Sequence, residues 1–204
     1  VFATFGLPML SPSASTPTLS NETLYPTFSR IIAPSDKEAQ VLIALCLRYN
    51  WTKVYIISST DEFSSTLTGA FEDLAMANKI IIDVHVVVPP GLPVYDEDLA
   101  DLVEAKPRIL FLMIGLDSLV SMIGSMFRVG LHPAATIASD IIVTTDTRAY
   151  TSPAGAPDTF MDGWVTVGQP IGVGKPWQDF LAELSSLSND TWPNLYRTIT
   201  NTPR

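Results

Sequence analysis

Four short polar groups stand directly behind apolar runs in this chain. After "PML" come Ser11, Ser13 and Ser15; after "VYII" come Ser58, Ser59, Thr60 and Asp61; after "FLMI" come Gly115 and Asp117; after "TIA" come Ser139 and Asp140. Hydroxyls and backbone amides beside a helix N-terminus suit a carboxylate, whereas an Asp carboxylate suits an ammonium. Together they would suit a zwitterion. The same residue types are also the ordinary caps of strand-to-helix turns, so each position has a structural use as well.

Other chemistries lack their local signal. There is no GxGxxG, GxxxxGK[ST], GxSxG or HExxH, so the sequence predicts neither an enzyme nor a resident cofactor or metal. His85 alternates with apolar residues in a strand-like run, which makes it a solvated or satisfied strand residue, and His132 falls in the turn "GLHP". Trp51 and Phe63 are core aromatics by default. Cys46 is the single cysteine, so no disulfide forms within the chain and no CxxC exists. A net charge of -9 argues against nucleic acid and against an anionic membrane surface, both of which need clustered Lys and Arg.

The polar groups need elements to position them. "DKEAQVLIALCLRY" predicts a helix capped by Ser35 or Asp36, with Val41, Leu42, Leu45 and Leu47 as its apolar face. "KVYIISS" predicts a buried strand over Lys53 to Ser59. Phe63, Leu67, Phe71 and Leu74 then form the stripe of an amphipathic helix that ends at Asn78. The alternation continues through the strand "KIIIDVHVVV", the helix "DEDLADLVEA", Pro107 and the strand "RILFLMI". Next come the helix "DSLVSMIGSMF" closed by Gly130 and the strand "ATIAS". Asp117, Arg128 and glycines interrupt this apolar region, so it reads as strand plus helix and not as a membrane span. Between Asp140 and Asp162 the chain is turn-rich and predicts a connection, followed by a strand "GWVTVGQP" and a helix "KPWQDFLAELSSL" with Pro176 near N1. Nearly continuous apolar strands alternating with helices specify parallel sheet covered on both faces.

The residues "SPSASTPTLSNETLYPTFSRIIAPSD", then "RYNWTKVYII" and "GAFEDLA", resemble the ligand-binding domain of class C G-protein-coupled receptors and receptor guanylate cyclases. This is the type I periplasmic-binding-protein, or Venus-flytrap, family. The resemblance runs from Leu7 to about Gly168; "LSNETLY" and "RYNWTKV" are similar to metabotropic glutamate receptors, and "DEFSSTL" to GABA-B receptors. It implies a two-lobed α/β fold with the first lobe incomplete: 1–49 as part of lobe 1, 50–140 as lobe 2, and 141–204 as a crossover returning to lobe 1. Since the chain starts at Val1 with no signal-peptide pattern, the numbered sequence is expected to be a fragment or processed piece.

By the same resemblance, Ser13, Ala14 and Ser15 match a turn that holds the α-amino and carboxylate ends of an amino-acid ligand. Asp36 and Asp140 match acids near the ligand amine, and Phe63 stands where relatives carry a covering Tyr. The chain departs from the family pattern in Ser15 for Thr, in the missing Phe63 hydroxyl, and in Ala33, an extra residue before "PSD". The implied function is binding of a small amino-acid-like or amine-like ligand between lobes, on the extracellular side of a cell membrane anchored by a segment outside this chain. Homo- or heterodimerisation through lobe 1 is implied too. A guanylate cyclase ectodomain and a soluble amino-acid-binding transport protein remain open alternatives. Asn21, Asn50 and Asn189 head three N-x-[ST] sequons and are glycosylation candidates.

Overall fold

A computed structural model describes residues 6–139 and 146–167, together with Lys175, Gln178, Asp179 and Ala182. The chain runs β1 (Met9–Ser11), β2 (Phe28–Arg30), α1 (Ser35–Arg48), β3 (Lys53–Ser59), α2 (Glu62–Ala77), β4 (Ile81–Val88) and α3 (Ala100–Ala105). It continues as β5 (Ile109–Met113), α4 (Leu116–Arg128), β6 (Ala135–Ala138), α5 (Arg148–Ala154) and β7 (Val165–Thr166). β1 and β2 form a two-stranded parallel sheet, and the others a five-stranded sheet in the order β4-β3-β5-β6-β7, parallel at every pairing. A separate compact unit covers Pro170–Arg204, where the described positions are helical and Lys175 meets Asp179 at 2.7 Å. Asn189 and Pro176 lie outside the described residues.

The central strands explain the sheet. All of β3 after Lys53 is buried, as is the whole of β5, so both faces must be covered. Because successive side chains point to opposite faces, β3 and β5 feed two cores. Tyr55, Ile57, Leu110 and Leu112 pack with Leu119, Met122, Ile123 and Met126 of α4 and with Leu99 and Leu102. On the other face, Val54, Ile56, Ile109 and Phe111 meet Leu67, Phe71 and Ala75 of α2 and Ala39, Leu42, Ile43 and Cys46 of α1. The Phe71 and Phe111 rings sit 4.9 Å apart across this second core. Fully burying one such ring is worth about 1.5–3 kcal/mol.

Some local expectations hold and others are corrected. α2 carries its stripe as read, and Gly130, at φ 71°, closes α4 while the Leu131 amide donates to the Met126 carbonyl at 2.8 Å. On α1 the buried stripe is Ala39, Leu42, Ile43 and Cys46; Val41 and Leu47 are exposed. The helix is aliphatic nearly all round, so periodicity alone left its rotation ambiguous. Its N-cap position is Pro34, and Ser35 is already helical. The stretch read as a connection holds α5 and a short 3₁₀ turn at Asp158–Met161, while β7 is a two-residue strand. Pro153 inside α5 and Gly155 at its end disguised the helix as a loop. α1 shares its core with β3 and α2, so Asn50 falls between two elements of one packed body.

Cys46 is fully buried in that core, and burial pushes its thiol up to about 11. The thiolate is the reactive species, so the native protein should resist a disulfide reagent at pH 8 and react only as it unfolds. Labelling followed through a urea titration checks this: modification should track the loss of structure, and full modification of folded protein would contradict the packing.

Candidate functional site

The carboxyl ends of parallel strands are where an open α/β sheet leaves a crevice, and here they carry a connected polar group. β3 ends at Ser59. Asp61 caps α2 by accepting from the Ser64 amide at 2.9 Å, and the Ser64 hydroxyl donates to the same carboxylate at 2.7 Å. Ser59 also donates to Asp61, its oxygen lies 2.9 Å from that of Ser64, and the Gly115 amide beyond β5 donates to it at 3.3 Å. Burial raises the Asp61 carboxyl, but these hydrogen bonds outweigh it and hold the group below its ordinary value. Asp61 therefore stays a carboxylate at neutral pH.

Gly115 is bare for a reason. A Cβ there would come within 2.7 Å of Asp117 Oδ1 and 3.6 Å of Asp61 Oδ2. Two carboxylates thus flank the half-buried backbone at Gly115, an arrangement that favours a cation. Ser139, just past β6, is 1% exposed and its hydroxyl has no partner among the described residues. Asp140 lies outside the described residues.

The Ser-rich turn approaches the same helix N-termini from the β1–β2 side. Ser11 Oγ accepts from the Ala14 amide at 3.0 Å, curling the chain after β1. Arg30, at the end of β2, donates to the carbonyls of Ala14 at 3.2 Å and Thr16 at 2.9 Å, and to the Ser20 hydroxyl. The Ser15 carbonyl in turn accepts from the Ser35 amide at 2.9 Å, opening α1. Thr16 donates to Glu62 at 2.9 Å in the first turn of α2. These bonds tie the turn that holds Ser13, Ala14 and Ser15 to the first residues of α1 and α2, the helices that carry Asp36 and Phe63.

Among the expected site residues, Ser13 is exposed, and Ala14 and Ser15 are half-buried. Asp36 is half-buried, with Oδ1 inaccessible and unpartnered among the described residues. Phe63 is half-buried and packs against the core of α1 and α2. Ser58 leaves the polar set: it points under α2, 2.7 Å from His85 Nε2, while His85 Nδ1 meets Glu72 at 2.9 Å. His85 is thus a satisfied strand residue. Arg30 and Ser64 escaped residue-by-residue reading, because an Arg that satisfies backbone carbonyls from 14 to 16 positions away has no local pattern.

Two consequences can be measured. Replacing Arg30 with Ala should raise hydrogen exchange at the Ser35 amide while leaving the β3 amides protected; unchanged Ser35 protection would show that the turn holds without the guanidinium. Asp61→Ala should cost about 1 kcal/mol of stability at neutral pH through the lost cap. Because the folded carboxyl titrates below its unfolded value, that stability is present above about pH 4 and is lost as pH falls further. Urea melts at pH 7 and pH 3 should show the variant's deficit shrinking on acidification, and a deficit that grows would contradict the assignment.

The family model described as "Receptor family ligand binding region" matches residues 1–193. Taste receptor type 1 member 1 of Homo sapiens is 33% identical over 94 residues, covering 46% of this chain and 11% of the receptor. Taste receptor type 1 member 3 of Mus musculus is 27% identical over 152 residues, covering 71% of the chain and 18% of the receptor. Guanylate cyclase 32E of Drosophila melanogaster is 32% identical over 87 residues, covering 42% of the chain and 8% of the cyclase. The matches thus span less than a fifth of these relatives' own lengths. With its parallel sheet, flanking helices and polar carboxyl edge, the chain belongs to the receptor family of ligand-binding regions.

Proposed function

We propose that this chain is part of the extracellular ligand-binding domain of a membrane signalling receptor of the class C G-protein-coupled type, and not itself an enzyme. It takes a small amino-acid-like ligand between two lobes. The observation that carries the reading is the Ser13–Ser15 turn, tied by Arg30 and Ser35 to the helix starts that border the carboxyl edge of the five-stranded sheet. The Ser13 and Ser15 hydroxyls of the turn serve a carboxylate, while Asp36, Asp61, Asp117 and Asp140 serve an ammonium. Phe63 contributes an apolar wall.

In this reading β1, β2 and the turn belong to the first lobe, and α1 to β7 form the second, with the crossover between Arg30 and Ser35. A two-stranded sheet is marginal alone. The exposure of Leu10 (68%) and Ile31 (72%) suits burial against further first-lobe structure, and dimerisation is proposed through that lobe. A ligand that contacts both lobes binds the closed form better than the open one, and that difference drives closure. The likeness to guanylate cyclase 32E supports a cyclase ectodomain as second reading; the binding region would act the same way there. Asn21 and Asn50 are exposed and suit N-glycosylation, and Asn189 is a third candidate.

Calorimetry on the complete ectodomain with a panel of amino acids tests the site. Ser15→Ala and Asp140→Ala should each weaken the best binder about ten- to a hundredfold, as expected for a lost hydrogen bond to a charged group. Unchanged affinity in both variants would reject the assignment.

A further inference from the structure

The opposite, amino-terminal end of the same sheet holds a cavity that the cleft reading does not use. It measures about 200 Å³ and lies between the turn leading into β6 and the turn leading into β7. Its walls include His132, Phe160 and Trp164. The His132 and Phe160 rings stand 5.3 Å apart at 69°, and the Phe160 and Trp164 rings 6.0 Å apart at 58°. Asp162 stands among them, and no Lys or Arg lines the space among the described residues. Thr136, at 2% exposure, also lines it, and its hydroxyl has no hydrogen-bond partner among the described residues.

The positions are fixed by backbone, not by chance rotamers. Gly130 and Gly163 hold φ of 71° and 80° at the two turns, which L side chains rarely adopt. The Trp164 amide donates to the Met161 carbonyl at 3.1 Å, and the Asp162 amide to the Thr159 carbonyl at 3.1 Å, so the aromatic and the acid ride one tight turn. None of the ion pairs among the described residues uses Asp162.

Ring faces and a carboxylate both attract positive charge, and an indole face is the best of the aromatic acceptors. An anion would meet Asp162 with no Lys or Arg among the described lining residues to offset it. The volume is below the roughly 300–1,000 Å³ of sites for drug-sized ligands, so the occupant is small. We propose that this cavity is a second ligand site, for a small organic cation of the alkylammonium class, independent of the interlobe cleft. An overall charge of -9 adds long-range attraction for such a ligand.

Choline and its uncharged isostere 3,3-dimethylbutan-1-ol are the probes, titrated into the 204-residue chain and followed by ligand-observed NMR. Choline should saturate, bind about fivefold or more tightly than the isostere, and weaken by about threefold or more in Trp164→Ala and in Asp162→Asn. An excess of free α-amino acids, the ligand class read into the cleft, should not displace choline, which separates this site from the cleft. Asp162→Asn alters an exposed side chain and keeps its size, so it serves if Trp164→Ala fails to fold. Absent saturation, equal binding of the two probes, or unchanged affinity in Asp162→Asn would overturn the proposal.

Discussion

One buried hydroxyl joins the parts that matter most. Ser59 ends β3, and its Oγ meets the Asp61 cap of α2, the Ser64 hydroxyl and the Gly115 amide beyond β5. The strand that carries it is buried on both faces, so this end could not be polar without internal partners. The network satisfies them and sets the start of α2 relative to the turn after β5. Low local dielectric strengthens each bond and makes a missing one costly.

From that fixed corner the neighbouring geometry follows. The start of α2 carries Glu62, which receives Thr16 from the Ser-rich turn, and the same turn gives its Ser15 carbonyl to the first residue of α1. Arg30 closes the turn from within by taking the carbonyls of Ala14 and Thr16. A segment that composition marks as loop is thus held from three directions. This is the preorganisation a binding site needs, because a ligand then need not supply the ordering itself.

How much of this the sequence showed depends on the range of the interaction. Phe63, Leu67, Phe71 and Leu74 announce α2 because helical period and burial agree locally. The unbroken "RILFLMI" announces a strand covered on both faces, and five parallel strands are what the chain builds. The rotation of α1 stayed hidden, since Val41 and Leu47 are as apolar as the buried Leu42 and Ile43, and only packing on α2 chooses between them. α5 stayed hidden because its Pro and Gly imitate a connection. Within the candidate site, Ser13 to Ser15 were legible as candidates from their place after a strand and from family resemblance, whereas Arg30 and the Ser59–Ser64 pairing needed the folded structure. Ser58 misled because a polar residue near a strand end can equally pair inward, here with His85.

The central claim is that the Ser-rich turn and the carboxyl edge of the five-stranded sheet form two sides of one ligand cleft. A crystal structure of the complete ectodomain with its best-binding amino acid tests it most directly. The account expects ligand atoms within about 3.5 Å of the Ser13–Ser15 turn and of at least one group at the carboxyl edge, such as Asp61 or Asp117. Ligand that touches neither, or only one, would contradict it.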